Sequence, residues 1–207
     1  MKLKTNVFIH KIYYFIAFLL ANSFVWIFLA HIINDPVDKE IFNMFIGSYN
    51  CQASELKEKI MSSEDFPTNI RRFYVKHYSL TSETFSTNLK THGLVHSDIL
   101  ILPLSQLDKL PSYASLCASF DNETATKTFG NTVSYLSNDN INYGIKIYDS
   151  INQQGYLSDY ITYTINDYVE EDYYLVFKKG SIHLGDLSNK TKTDYAIKIV
   201  KDIIFHV

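Results

Sequence analysis

Seven histidines, two cysteines and a short acidic run are the residues of this chain with chemistry to offer. His92 and His96 stand four apart, the spacing at which one helical face presents two imidazoles to a metal ion. Gly93 falls between them at an expected helix end, and neither an HExxH nor a CxxC arrangement accompanies them. Surface or partly buried histidines are therefore the expectation, and no metal or cofactor is assigned. Cys51 and Cys117 are the only cysteines. They could form a disulfide, persist as free thiols, or include a nucleophile, although the matched His and Asn of a catalytic cysteine are not evident. The cluster Asp167, Glu170, Glu171 and Asp172 lacks the alternating ligands and central glycine of a calcium loop, and reads as a solvated turn before a strand. A GxSxG elbow, a Gly-rich phosphate loop and a recognisable carboxylate pair are all missing, so the expectation is a protein that is not an enzyme.

The element that sets where any chemistry takes place is the apolar stretch at residues 12–33, IYYFIAFLLANSFVWIFLAHII. At about 1.5 Å per residue it spans roughly 33 Å, close to the roughly 30 Å of a bilayer's hydrocarbon core. It holds no Gly, Pro or formal charge, and a helix satisfies its own backbone groups in lipid. It exceeds the apolar core of a signal peptide, and no small-x-small site follows it, which favours a retained anchor. Lys2, Lys4 and Lys11 precede it, whereas Asp35, Asp38 and Glu40 follow with only Lys39 opposing. The positive-inside rule then makes residues 1–11 cytoplasmic, 12–33 a transmembrane helix and 34–40 a linker, with 41–207 outside the cell membrane in a single-pass topology. Taking the three leading lysines from 19 basic residues leaves 16 against 22 acids, a formal charge of −6 for the outer part. That balance excludes a basic nucleic-acid footprint and argues against adhesion to anionic headgroups.

Behind the anchor the pattern is α/β. Residues 41–47 (IFNMFIG), 70–78 (IRRFYVKHY) and 97–102 (SDILIL) read as strands, the last buried on both faces. Residues 52–62 read as a helix burying Leu56 and Ile60, and a second helix runs from an N-cap at Thr81 through Phe85 and Leu89 to a stop at Gly93. Three strands and two helices define a three-layer βαβαβ lobe with a mixed, mainly parallel sheet and helices on both faces. A short helix is expected over 104–110, and irregular structure that could include one strand over 111–142. Strands follow at 143–150 and 172–178, with 161–165 pairing one of them. An amphipathic helix over 194–205 presents Ile197, Val200 and Ile204.

The succession IFNMFIG, helix, IRRFYVKHY, helix, SDILILP resembles the first lobe of bacterial extracellular solute-binding proteins that serve ABC importers, of the type 2 periplasmic-binding-protein kind. The stretch EDYYLVFKKGSIHLGDLSNKTKTDYAIKIVKDII is similar to the closing strand, loop and helix of such a lobe. The resemblance implies that ligand or partner binding falls at the strand-end loops, on Ser48, Tyr49, Asn50, Tyr78, Ser79 and Ser105. Residues 111–142 are too few for the second lobe those proteins insert, which leaves a single anchored lobe with half the burial for a ligand. The role this implies is a binding or interaction module beside another membrane protein or complex, accessory to a transporter, with a small-molecule ligand left open. The alternative is an extracytoplasmic hydrolase without a recognisable motif, which the strand-end loops would betray by converging on a nucleophile and a base.

Overall fold

A computed structural model of the chain describes residues 2–110, 113–138, 140–165, 170–184 and 194–206. It divides into two compact units, residues 1–37 and 38–207. The first is helix α1 (Lys2–Asn34), whose stretch Lys11–Ala30 has a mean hydropathy of 2.0 and is nowhere buried. It is long and apolar enough to cross a bilayer, a property that anchors and signal sequences share. Asn22 and Ser23, near its middle, do not disturb the helix. Asn22 Nδ2 donates to Phe18 O (3.0 Å) and Ser23 Oγ to Leu19 O (2.9 Å), so both are satisfied one turn back.

The second unit is α/β. Its first half alternates β1 (Ile41–Ser48), β2 (Asn50–Cys51), α2 (Ala53–Met61), β3 (Arg72–Ser79), the helical turns α3 (Phe85–Asn88) and α4 (Leu94–His96), β4 (Ile99–Pro103) and α5 (Leu104–Leu107). Then come α6 (Tyr113–Leu116), β5 (Phe120–Asp121), α7 (Asn122–Phe129), β6 (Tyr135–Asn138), β7 (Ile141–Asp149), β8 (Gln154–Gly155), β9 (Ile161–Thr162), β10 (Tyr173–Phe177) and α8 (Tyr195–Phe205). The sheet runs β3-β1-β4-β10-β7-β5, with β6 and β8 also on β7. Pairing is parallel within β3-β1-β4 and antiparallel from β10 onwards.

Burial on both faces explains the near-continuous apolar strands β1, β4 and β10. On one face Phe42, Met44 and Ile46 pack with Leu56 and Ile60 of α2 and Ile197, Val200 and Ile204 of α8. On the other, Phe45, Leu100 and Leu102 pack with Phe85, Leu89 and Leu107. The connections β1-α2-β3 and β3-α3-α4-β4 run in opposite directions across the sheet and lie on opposite faces, as two crossovers of one hand require. Gly47 permits the second contact, because a Cβ there would stand 2.7 Å from the Phe85 ring and 2.9 Å from Leu102 Cδ2. Gly47→Val is accordingly expected to cost about 1–3 kcal/mol of unfolding free energy in urea titrations, an overpacking penalty.

Several expectations are corrected. Gly93 does not stop the second helix. The chain passes through it in a π turn (Leu89–Gly93) and continues to His96, and a Cβ at Gly93 would meet Leu89 at 2.9 Å and Phe45 and Leu100 at 3.3 Å. This glycine serves close packing on the sheet. Residues 111–142 contain a real helix, α7, whose amide at Thr124 donates to the Asp121 cap (2.7 Å) and which ends at Gly130 with φ +83°. The segment at 161–165 supplies β9, which pairs with β2 and with neither β7 nor β10. Asp167 lies outside the described residues, as does 185–193 of the closing loop.

Candidate functional site

Because β3, β1 and β4 are parallel, their carboxyl ends share one edge of the sheet. β10 begins at that edge and β7 ends there, with Tyr173 opposite both Pro103 and Tyr148. Of the strand-end residues named from the sequence, four come together. Ser48 is fully buried and its hydroxyl donates to Asn50 O (2.9 Å). Ser79 Oγ donates to Tyr49 O (3.3 Å), and the Tyr49 amide donates to Thr162 O (3.2 Å). Asn50 Oδ1 accepts from the Cys51 amide (2.9 Å). These hydroxyls and amides therefore brace the turn between β1 and β2.

The other two lie apart from that turn. Tyr78 is stacked between Phe45 (5.0 Å, 19°) and His92 (5.8 Å, 5°), in the layer between sheet and helical turns. Ser105 sits beyond β4 and gives both its amide (2.8 Å) and its hydroxyl (3.0 Å) to Glu171, whose carboxylate thereby caps α5. Glu171 is thus a structural contact and not part of a solvated turn. His92 and His96 do approach, with ring centres 6.5 Å apart. No group of three or more metal-ligating side chains surrounds them or any other site among the described residues.

Of the readings left open for Cys51 and Cys117, the structure has free thiols and no disulfide. Both are free, and they belong to different cores: Cys51 packs in the layer that holds α2 and α8, Cys117 in the layer that holds α5. Burial pushes the Cys51 thiol up to about 12 and the Cys117 thiol up to about 11. Neither is a thiolate at neutral pH, and neither is poised for nucleophilic work.

The sequence reading missed the half of the rim that comes from the chain's second part. Opposite Tyr173 the β7 ladder is bulged, so that Ile147 and Tyr148 both turn to the α8 face while Lys146, paired with Tyr174, turns to the other. Tyr148 stacks on Tyr163 (4.4 Å, 16°), and Tyr173 meets Tyr163 edge-on (4.9 Å, 68°) while donating its hydroxyl to Tyr163 O (2.8 Å). Burial raises all three phenols, which leaves them neutral donors. On the other side Lys146 Nζ contacts Asp172 Oδ2 at 2.5 Å, and the Ser150 amide and hydroxyl each reach Asp172 Oδ1 at 2.9 Å.

Burial by itself would raise the Asp172 carboxyl, but the hydrogen bonds from Lys146 and Ser150 outweigh it and hold the group below its usual range. The bond to Asp172 raises Lys146, against a smaller opposing effect of burial. A depressed carboxyl contributes stability above its unfolded pKa of about 3.9, and that stability is lost as pH falls through the folded value. Lys146→Met is therefore expected to lower the unfolding midpoint at pH 7 and to leave it nearly unchanged near pH 2, as thermal melts across that range will read.

Between β6 and β8 the free side of β7 opens into a cavity of about 640 Å³. Thr132, Ser134, Asn152, Gln154, Tyr156 and Ser158 line it, beside Lys146, Tyr148 and Asp149. The signal for it in the sequence was faint: the polar run NQQGY follows a strand, and Gln153 adopts a positive φ of 52° to close the turn. The charges at its wall are already engaged, since Asp149 accepts from the amides of Ile151 (2.9 Å) and Asn152 (3.2 Å). Such a lining can hydrogen-bond a polar surface; it holds no free base. Compared with family models, curated proteins and solved structures, the chain matches none.

Proposed function

We propose that this chain is a membrane-anchored binding or interaction module, working outside the cell membrane beside another membrane protein or complex, and accessory to a transporter in the role its solute-binding-like lobe implies. The observation that carries this reading is the rim itself. Strand ends from both halves of the sheet converge on it, and its serines donate to backbone carbonyls or to carboxylates that are engaged in capping or ion pairing. That arrangement favours recognition over activation of a nucleophile. The polar cavity beside β7 supplies the hydrogen-bonding surface, with Tyr156 37% exposed at its mouth. The leading lysines and the acids after the apolar helix support a cytoplasmic N-terminus and an outer domain.

The test is affinity capture of the full chain from solubilised membranes with mass spectrometry of what it retains. A membrane complex is expected with the wild type, reduced tenfold or more by Gln154→Ala combined with Tyr156→Ala. If capture returns no membrane protein, and the full chain in detergent gives no thermal shift with a panel of amino acids, sugars and short peptides, the reading fails.

A further inference from the structure

β3 ends the sheet, and among the described residues no strand pairs with its outer side. It is eight residues long, enough to template pairing with another chain. The ladder decides which backbone groups face outwards. Ser79 is in register with Ser48, and the Leu80 amide donates to Ser48 O (3.0 Å). Backbone groups alternate sides along a strand, so the amides and carbonyls of Tyr74, Lys76 and Tyr78 point at β1. Those of Phe73, Val75 and His77 point away from the sheet.

The side chains on this edge are arranged symmetrically. Arg72, Tyr74, Lys76 and Tyr78 share one face, with cation and aromatic alternating about Val75. Arg72 and Tyr74 are exposed, and Lys76 and Tyr78 are half-buried. Lys76 Nζ already lies 5.8 Å over the Tyr74 ring. From this we infer that β3 pairs antiparallel with β3 of a second copy of the chain, about a two-fold axis at Val75, extending one sheet across both.

In that register the outward groups of Val75 bond Val75 of the second copy, and Phe73 exchanges both bonds with His77. Lys76 falls opposite Tyr74 of the second copy and Arg72 opposite Tyr78. These are the non-hydrogen-bonded pairs, in which side chains stand closest. Lys76 meets the exposed Tyr74 ring, Arg72 lies beside Tyr78, whose ring faces are covered by Phe45 and His92, and no cation meets a cation. Moving the axis to Phe73 or His77 keeps only one of the two kinds of pair and shortens the ladder. A shift by one residue presents groups already bonded to β1. The self-complementarity singles out a second copy over an unrelated strand, which would have to supply the same alternation in reverse.

The full chain in detergent tests this by sedimentation. A species of twice the 24.0 kDa chain is expected, with a concentration-dependent monomer below it. Val75→Pro removes an outward amide at an edge, where proline is tolerated, so the variant keeps its circular dichroism. By symmetry two hydrogen bonds vanish, and the dimer dissociation constant rises about tenfold or more. Tyr74→Lys sets cation against cation without touching the ladder and weakens the dimer in the same direction, which decides the matter should the proline variant misfold. A wild type that remains monomeric at all concentrations, or a dimer that neither variant weakens, overturns the inference.

Discussion

Asp98→Ala is expected to lower the unfolding free energy of the second unit by about 3 kcal/mol. The side chain is 6% exposed, and both oxygens are used: Oδ2 accepts from the Asn43 amide (2.8 Å) and Oδ1 from the Ser181 hydroxyl (2.5 Å). Ser181 Oγ in turn accepts from the His183 amide (3.1 Å), and the His183 ring reaches Ile41 O (2.7 Å) through Nε2. His183 O then receives the Ala196 amide (3.1 Å) in the first turn of α8. A single carboxyl thus ties the start of β1 to the start of β4, to the loop after β10 and to α8. Alanine leaves the part-buried Asn43 amide and the buried Ser181 hydroxyl without their acceptor.

Asparagine can accept from Asn43 and donate to Ser181 Oγ, so Asp98→Asn is expected to cost about 1 kcal/mol. Urea titrations of the two variants separate lost hydrogen bonds from lost charge. Burial raises the Asp98 carboxyl, and the hydrogen bonds from Ser181 and Asn43 and the charges of His183 and Lys178 only partly offset it. A raised folded pKa gives stability that is full below the unfolded value and declines as pH rises through the folded one, opposite in sign to Asp172. Asp98→Asn removes that decline, and its penalty should therefore shrink as pH rises. A penalty for alanine no larger than that for asparagine at every pH would sink the account.

What the sequence disclosed about the fold follows from where the physics is local. β1, β4 and β10 are short apolar runs because they are buried on both faces, and α8 repeats Ile197, Val200 and Ile204 because one of its sides is. α7 was hidden, since four of its eight residues are Asn or Thr and only Ala125 and Phe129 are buried. Its signature lay in the bracket of Asp121 and Gly130, which periodicity does not register. Gly93 misled for the opposite reason: as a chain breaker it reads as a stop, whereas tertiary packing against Phe45 and Leu100 keeps it within a continuous helical segment.

The site divides in the same way. Ser48, Tyr49, Asn50 and Ser79 follow directly from parallel strands whose ends must lie together, so fold class alone located them. Tyr148, Tyr173, Lys146 and Asp172 reach the same rim only through antiparallel pairing of β10 with β4 and β7, and through a bulge that turns two successive residues of β7 to one face, while Tyr163 is brought there by the pairing of β9 with β2. Nothing in the spacing of those residues announces either. Ser105 and Tyr78 show the limit of strand-end reasoning: position along a strand says where a side chain begins, while the Glu171 cap and the Phe45 and His92 rings decide where its polar atoms and ring are held.

Leu20→Arg combined with Phe24→Arg is expected to abolish membrane retention of the whole chain. Both positions fall within Lys11–Ala30, the apolar part of α1, and both side chains are exposed, 56% and 71% respectively. An arginine near the centre of a spanning helix costs about 3 kcal/mol on insertion scales, and each substitution also forfeits a favourable apolar residue. The two together disfavour insertion by about 6 kcal/mol, roughly twenty-thousandfold in the equilibrium. Asn22 and Ser23 provide no comparable penalty, because both are uncharged and each donates to a carbonyl one turn back in the helix. Alkaline carbonate extraction reads the result: wild type in the pellet, double variant in the supernatant or degraded. Intact mass of the pelleted wild type separates an anchor from a signal, with 24.0 kDa expected for a retained span. A mature chain shortened through the apolar segment would overturn the proposed tether. The orientation is read on the same membranes with Ile151→Cys, which is 89% exposed in the turn after β7, whereas Cys117 is buried and Cys51 partly so. A maleimide that cannot cross the bilayer should label it in intact cells if the second unit lies outside, as proposed, and labelling only after lysis would place that unit on the cytoplasmic side.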